Sequence, residues 1–200
     1  MKNRKFLVLT VMFIIVAVTL GILIYLGKDD FNIRKIPKIV TGIENVTTTV
    51  HYVDVGQADG IVVENSGHYM VIDAGTNVAS EKMVSYLKDI NAEVIDVVIG
   101  THPHEDHIGG LDDIINSFEV KKVYMPKFTA TTKSYEDVLK AIKKNKLQIS
   151  NPKVGTEFEL GTAKITIFAP VKSYDDANNS SIGVKLADGN VSFIFFGDAE

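Results

Sequence analysis

The apolar and polar positions of the chain form two kinds of pattern after about residue 47. Apolar runs bounded by glycine and polar turns predict short strands near 48 to 55, 60 to 64 and 69 to 72. Apolar residues then recur at helical spacing and predict an amphipathic helix over about 78 to 91. The run VIDVVIG, at 94 to 100, predicts a buried strand.

The rest of the chain alternates between helical and strand patterns. Helical spacing returns at about 108 to 117 and 134 to 146, and a short strand is predicted between them at 121 to 125. Further strands are predicted near 156 to 160, 163 to 168, 181 to 187 and 191 to 196. Strands that are grouped at first and then alternate with helices predict an α/β (α+β) domain, with stacked sheets covered by helices.

A separate apolar segment precedes the domain. Residues 6 to 27 carry no charge, and about 20 apolar residues in a helix are enough to cross a membrane. Basic residues precede this segment, so the positive-inside rule places the N-terminus in the cytoplasm. A cleaved signal peptide is the alternative, but its apolar core has about 7 to 15 residues and ends at an Ala-x-Ala-like site, which does not follow here. We predict a single-pass membrane anchor in residues 1 to 27, a linker in 28 to 46 and an extracellular domain in 47 to 200.

Composition narrows the chemistry that the domain can perform. The chain contains no cysteine, so any metal is held by nitrogen and oxygen ligands. Residues 1 to 28 hold four basic residues and no acid, which leaves 17 basic and 25 acidic residues in the rest of the chain. A domain with this net negative charge lacks the broad basic face of most nucleic-acid binders.

Three of the five histidines lie in one short stretch, THPHEDH, at 101 to 107. The stretch follows a predicted buried strand, and ligand sites of α/β proteins favour loops at the carboxyl ends of strands. Imidazole and carboxylate groups suit two divalent ions, such as zinc or manganese, about 4 Å apart. In an extended loop His102 and His104 project toward one ion, and Asp106 and His107 can reach a second. The alternative is a polar loop in which Asp106 only caps the following helix.

The pattern H-x-H-x-D-H resembles the signature of the metallo-β-lactamase superfamily. Its surroundings resemble the C-terminal domain of ComEC-type competence proteins in five ordered blocks: DVGQADG at 54 to 60, VIDAG at 71 to 75, HPHEDHIGG at 102 to 110, NNSS at 178 to 181 and FGDAE at 196 to 200. The resemblance implies a four-layer αββα sandwich and a hydrolase with two divalent metal ions, Zn or Mn. It does not cover the anchor or the linker.

The resemblance also implies roles for single residues. His102 and His104 would bind the first ion, Asp106 and His107 the second, and Asp198 would bridge both. Asp106 would also orient or deprotonate the bridging water, which makes it the catalytic residue. Supporting or substrate-binding roles fall to four further residues: Asp59, Asp73, Asn179 and Ser180. Asp73 would support the ligand loop from behind, or else serve only as a turn residue.

The chain departs from the family pattern after the histidine stretch. No histidine follows His107, although many members of the superfamily use two more. Asn179 and Ser180 belong to a segment that stands, in the ComEC-type branch, where the third histidine would fall. Glu200 ends the chain two residues after Asp198, whereas the family continues with strands, a helix and a last histidine. We therefore expect a truncated reading frame or a fragment, with an incomplete second sheet and little activity.

The leading interpretation is a phosphodiesterase or nuclease that acts outside the membrane through a metal-activated hydroxide. The resemblance suggests DNA as the substrate, and the net negative charge of the domain argues against it. Two alternatives stay open. One is the hydrolysis of a small ester, lactone or lactam, and the other is a non-catalytic anchored module with an incomplete site.

The predicted topology can be tested on intact cells. Protease added outside cells or protoplasts should digest residues 48 to 200, because the basic flank keeps only the short N-terminus in the cytoplasm. Immunoblotting for the domain measures the digestion, and a cytoplasmic protein that stays intact is the control for membrane integrity. Full protection of the domain beside an intact control would overturn the predicted orientation.

Overall fold

A computed structural model describes residues 46 to 200 of the chain. The predicted anchor at 1 to 27 and all but the last residue of the predicted linker at 28 to 46 lie outside the described residues. Within residues 46 to 200, no helix has the length and apolar character that crossing a membrane requires.

The described part of the chain contains twelve strands and four α-helices. The strands are β1 (Thr48–Tyr52), β2 (Gly60–Asn65), β3 (His68–Ala74), β4 (Val94–Ile95), β5 (Val97–Ile99), β6 (Glu119–Val120), β7 (Val123–Tyr124), β8 (Ile149–Ser150), β9 (Glu157–Leu160), β10 (Ala163–Ala169), β11 (Gly183–Asp188) and β12 (Val191–Phe195). The helices are α1 (Ser80–Asp89), α2 (Glu105–Ile108), α3 (Leu111–Ser117) and α4 (Lys133–Lys144), with 3₁₀ turns at Asn77–Ala79 and Asn178–Ser180. Each predicted segment contains an element of the expected type.

The first sheet has the strand order β1-β2-β3-β5-β7-β8. Its first three strands form an antiparallel meander, in which residues 53 to 59 connect β1 to β2 and a two-residue turn connects β2 to β3. The strands β3, β5, β7 and β8 are parallel, and helical segments make the crossovers between them. The carboxyl ends of β3, β5 and β7 therefore meet at one edge of the sheet.

The single strand predicted at 94 to 100 is two strands, so that prediction was wrong. β4 pairs with β6 in a separate two-stranded sheet, whereas β5 pairs with β3 and β7. Asp96 lies between β4 and β5, and its carboxylate accepts hydrogen bonds from the backbone nitrogen of Tyr69 (3.2 Å) and from Lys121 Nζ (2.7 Å). These polar contacts divide the apolar run, and hydrophobic periodicity alone contains no information about them.

Two apolar cores lie on the two faces of the first sheet. One packs the sheet against the helices and contains buried residues such as Met83, Leu111 and Val138. The other lies between the two sheets, and there Met70 and Ile72 of β3 pack with residues of β10 and β11, including Ile165, Val184 and Leu186. Because β3 is buried on both faces, its sequence is a continuous apolar run rather than an alternating one.

The second sheet is antiparallel, with the order β12-β11-β10-β9. Its inner side chains alternate with outward ones such as the exposed Lys164 and Lys185. All four helices contribute to the core on the opposite face of the first sheet or contact each other there. The described residues thus form three successive layers of the expected αββα sandwich: helices, first sheet and second sheet.

A buried polar network joins the two sheets. Oδ2 of Asp188, at the end of β11, accepts hydrogen bonds from the backbone nitrogens of Thr47 (2.9 Å) and Thr48 (3.1 Å) and from Nδ2 of Asn65 (3.1 Å). Oδ1 of Asn65 accepts one from the backbone nitrogen of Thr162 at 2.7 Å. Burial acts to raise the pKa of Asp188, but the hydrogen bonds from Thr47 and Thr48 outweigh it and hold the pKa below the usual value of 3.8.

Asp188→Asn should lower the free energy of unfolding by about 1 to 3 kcal/mol at neutral pH, because the amide carries no negative charge and a neutral oxygen accepts these hydrogen bonds more weakly than a carboxylate does. The group has a lowered pKa in the folded state, so its stabilisation is present above pH of about 4 and is lost as the pH falls through the folded-state pKa. Denaturant unfolding of the full chain in mild detergent, at pH 7 and below pH 4, measures the difference. The exposed Asp175→Asn is the control, and an equal effect of both substitutions at pH 7 would contradict the network's role.

Candidate metal centre

The histidine stretch follows β5 at the carboxyl edge of the parallel strands. Ile72 of β3 pairs with Ile99 of β5, so Asp73 comes to lie beside Thr101, the first residue of the stretch. The crevice beyond the carboxyl ends of parallel strands is where α/β proteins form their ligand sites. The register of β3 and β5 therefore fixes the position of the candidate site.

Asp73 holds both ends of the histidine stretch. Its Oδ1 accepts a hydrogen bond from the backbone nitrogen of Thr101 at 2.8 Å, and its Oδ2 accepts one from the hydroxyl of the same residue at 2.6 Å. Oδ2 also lies 2.8 Å from Nδ1 of His107. Asp73 is 1% exposed and has a φ of +58°, a left-handed conformation that aspartate adopts more readily than most residues. Three hydrogen bonds to one buried carboxylate leave the loop little freedom.

The one-turn helix α2 carries Asp106 and His107. It begins at Glu105 with His104 in the N-cap position, so the alternative in which Asp106 caps the helix is wrong. Gly109 follows the turn, and a Cβ at this position would lie 2.4 Å from the backbone nitrogen of Asn77. Glycine is required here because the two backbone segments pass too close together for any side chain.

His102 is buried between two hydroxyl groups on one side and His104 on the other. Its Nδ1 lies 3.2 Å from Thr101 Oγ1 and 3.2 Å from Ser181 Oγ. Its Nε2 lies 3.1 Å from Nδ1 of the exposed His104. One ring nitrogen of each histidine therefore faces the other.

Asp198 reaches the histidines from the second sheet, three residues after β12. Its Oδ2 lies 3.9 Å from Nε2 of His102, and its Oδ1 lies 3.2 Å from Nε2 of His107. The same His107 nitrogen lies 3.9 Å from Oδ2 of Asp106. Gly197 makes the approach possible, because its φ is +56° and a Cβ there would lie 2.7 Å from Thr101 Oγ1. The two oxygens of Asp198 thus face two different histidines.

The described residues contain two sets of three side chains whose possible ligand atoms lie within 4.8 Å of one another. The first set is His102, His107 and Asp198, and the second is Asp59, Asp73 and His107. His104 and Asp106 adjoin the first set through single contacts. His104 Nδ1 lies 3.1 Å from His102 Nε2, and Asp106 Oδ2 lies 3.9 Å from His107 Nε2. Nitrogen and carboxylate donors of this kind suit zinc or manganese.

The two buried histidines have opposite pKa shifts. Burial and the charge of His107 lower the pKa of His102 to about 4, so that its ring is neutral at physiological pH. Burial also acts to lower the pKa of His107, but the hydrogen bond and charge of Asp73, together with the charges of Asp198 and Asp106, raise it to about 9. Nε2 of His107 therefore becomes a metal donor only when a cation displaces that proton.

The other supporting residues lie at different places around the centre. Asp59 is half exposed and its Oδ2 lies 3.9 Å from Nδ1 of His107, too far for a hydrogen bond, although its backbone nitrogen donates to Asp106 O at 3.1 Å. Oδ1 of Asn179 accepts from the backbone nitrogen of Glu200 at 3.1 Å. The hydroxyl of Ser180 donates to the backbone oxygen of Asp176 at 2.8 Å.

Sequence reasoning did not single out Thr101 or Ser181, the two hydroxyl residues that contact His102. Both are buried, with 1% and 0% of their surface exposed. Ser181 is adjacent to Ser180 in the block NNSS, and the pattern cannot distinguish which of the two serines reaches the histidine. A hydroxyl directly before the first histidine of the stretch was the signal available for Thr101.

The fold and the residues of the centre define a protein class. The family model described as the metallo-beta-lactamase superfamily matches residues 53 to 200, and the chain belongs to this superfamily. It therefore has the mixed α/β metallo-β-lactamase fold.

The sequence is also similar to a particular protein of the ComEC type, as the five blocks indicated. It is 25% identical over 171 residues to ComE operon protein 3 of Bacillus subtilis (strain 168). The matched region covers 76% of this chain and 22% of that protein. The chain thus corresponds to about a fifth of the length of this relative.

Solved structures share the fold at low sequence identity. A metallo-beta-lactamase with a HARLDQ motif from Cronobacter sakazakii has a TM-score of 0.53 and 13% identity, over 76% of this chain and 62% of that one. The metallo-beta-lactamase fold protein YhfI from Bacillus subtilis has a TM-score of 0.52 and 15% identity, over 74% of this chain and 61% of that one. The chain spans less than two thirds of either structure.

Gly109→Ala should disrupt the candidate centre, because the added methyl group collides with the backbone of Asn77 and displaces α2. We expect a loss of about 2 kcal/mol or more of unfolding free energy, as for overpacking a rigid site, together with weaker metal binding. Denaturant unfolding and a metal titration measure the two effects. Gly67→Ala is the control: it has a φ of +79° and open space around it, so it should cost only about 1 kcal/mol and leave metal binding unchanged.

Proposed function

We propose that this protein is a divalent-metal-dependent phosphodiesterase. The observation that carries the proposal is the position of Asp198, whose two oxygens face His102 and His107 at 3.9 and 3.2 Å. A carboxylate between two groups of nitrogen donors fits a pair of ions with one shared ligand. Paired ions of this kind suit displacement at phosphorus, where the attacking and the leaving oxygen both carry charge.

The nitrogen and carboxylate donors of the centre suit zinc or manganese, and the proposal places two such ions there. His102 and His104 would hold the first ion and Asp106 and His107 the second, with Asp198 as the shared ligand. The bound ions would lower the pKa of a water molecule to near neutrality and stabilise the negative charge of the reacting ester.

Around such ions the chain itself has three tasks. Asp106 lies at the open side of the centre with 48% of its side chain exposed, where it can orient the attacking water and accept its proton. Asp73 keeps the ring of His107 in place through the hydrogen bond to Nδ1. The side chain of Asp198 is 39% exposed, so the centre is open to solvent on this side and a substrate can approach it there.

The ComEC-type relationship favours DNA as the biological substrate. The acidic surroundings work against long-range attraction of a polyanion, so the bound ions would have to supply the positive charge that contacts the phosphates. Hydrolysis of a small ester, lactone or lactam needs no such attraction and is the second candidate. We also propose that residues 6 to 27 anchor the chain in the cell membrane with the domain outside, which the sequence pattern and the ComEC-type relationship support.

Turnover by the full 200-residue chain in mild detergent tests the function. The substrates are bis-nitrophenyl phosphate, single-stranded DNA, a lactone and nitrocefin, each with manganese, with zinc or with EDTA. We expect slow, metal-dependent cleavage of the two phosphodiesters, and we expect Asp106→Ala to reduce it at least about 100-fold, the usual contribution of a positioned acid or base. Glu105→Ala, at the exposed neighbouring acid, is the matched control and should keep its rate.

Each other outcome contradicts the proposal in a different way. Cleavage of nitrocefin or the lactone with the phosphodiesters left intact would favour the small-ester reading. Tight binding of metal without turnover of any of the four substrates would favour a non-catalytic module. Phosphodiester cleavage that survives both EDTA and Asp106→Ala would come from a contaminating nuclease and not from this centre.

A further inference from the structure

Two hydroxyl groups from distant parts of the chain meet at one nitrogen of His102. Thr101 Oγ1 and Ser181 Oγ each lie 3.2 Å from Nδ1, and all three residues are at most 1% exposed. Ser181 comes from the segment before β11, and the neighbouring backbone nitrogen of Ile182 donates to Thr101 O at 3.0 Å. The second half of the domain thus holds the serine against the ligand loop.

The hydrogen-bond network decides which atom carries the proton at this contact. The Thr101 hydroxyl donates to Asp73 Oδ2 at 2.6 Å, and the same carboxylate also accepts a hydrogen bond from the backbone nitrogen of Thr101. The threonine oxygen therefore has only lone pairs left for His102. A favourable contact then requires an N–H on Nδ1 of the histidine, because two facing lone pairs repel each other. The neutral ring has one proton, so Nε2 must keep its lone pair.

We propose that Thr101 and Ser181 are positioning residues that fix His102 in the Nδ1–H tautomer and so aim the lone pair of Nε2 at the candidate metal centre. Thr101 sets the tautomer, since Asp73 holds its hydroxyl proton. Ser181 provides the second oxygen and restrains the ring from the opposite half of the domain. The inference rests on the proposed metal site for its purpose, but the tautomer is a property of the metal-free chain.

Fixing a ligand histidine in this way has a measurable consequence for metal binding. A hydrogen-bond partner on the far nitrogen sets the tautomer and the orientation of the ring, and its removal typically weakens metal affinity about 10- to 100-fold. Ser181 is placed 79 positions away from His102 in the sequence. We therefore expect the metal affinity to depend on how the second sheet packs against the first.

Nitrogen-15 NMR of the histidine rings in the metal-free full chain tests the tautomer directly. Only five histidines contribute signals, and a His102→Gln spectrum assigns the one in question. We expect His102 to be protonated on Nδ1 in the unsubstituted chain. In Thr101→Val, which keeps the shape but has no hydroxyl, the population should shift toward the Nε2–H form, whereas Thr101→Ser should keep the original tautomer.

Metal titration with zinc, followed by competition with a chelating dye, tests the consequence. Thr101→Val and Ser181→Ala should each raise the dissociation constant about 10-fold or more, and Thr101→Ser should stay near the unsubstituted chain. Ser134→Ala removes a hydroxyl from another buried serine, on α4, and is the matched control for the loss of a buried hydroxyl. Denaturant unfolding shows that each variant is folded under the titration conditions.

An Nε2–H tautomer in the unsubstituted, metal-free chain would overturn the proposal, and this measurement depends on no variant. Unchanged zinc affinity in both Thr101→Val and Ser181→Ala would overturn it as well. Ser180→Ala separates the two neighbouring serines, since a larger loss of affinity there than in Ser181→Ala would assign the supporting role to Ser180. None of these results depends on phosphodiesterase activity, so a failure of the proposed reaction is recognised separately.

Discussion

The buried carboxylate of Asp73 accepts three hydrogen bonds, and the arrangement of the histidine loop depends on it. It accepts hydrogen bonds from the backbone nitrogen and the hydroxyl of Thr101, and it lies 2.8 Å from Nδ1 of His107. Burial raises the pKa of Asp73, while the hydrogen bonds from His107 and Thr101 act to lower it. A buried carboxylate is stable only with such partners, so the loop and the strand β3 stabilise each other. The left-handed backbone at Asp73 is retained because these contacts hold it.

Two connections between the sheets determine how the centre is completed. At one place the Asp188 network ties the start of β1 and the end of β2 to the end of β11. At the candidate centre the second sheet supplies Asp198 and Ser181, which contact histidines of the first half. The apolar core packs the two sheets together in addition to these polar contacts. Since Gly197 passes against Thr101 with no room for a side chain, small shifts between the sheets would change the distances at the centre.

Much of the fold and of the candidate site could be predicted from the sequence because the signals are local. Helical spacing gave α1 and α4, and turn residues separated the strands β1, β2 and β3. The run at 94 to 100 was misjudged because a strand's partners are not encoded in its own periodicity, and Asp96 directs its two halves into different sheets. The same limit applies to the choice between Ser180 and Ser181, which depends on the turn Asn178–Ser180 and not on residue type.

The sequence by itself determined the chemical character of the protein. The absence of cysteine leaves only nitrogen and oxygen donors for a metal. The spacing of His102, His104, Asp106 and His107 and the five ordered blocks indicated the metallo-β-lactamase superfamily, to which the chain belongs. Only the tertiary structure decided which atoms face each other. The parallel register of β3 and β5 sets Asp73 behind the loop, and the packing of the second sheet brings Asp198 and Ser181 to His102 over long sequence separations. Such contacts depend on how whole sheets pack, and a linear pattern does not contain that information.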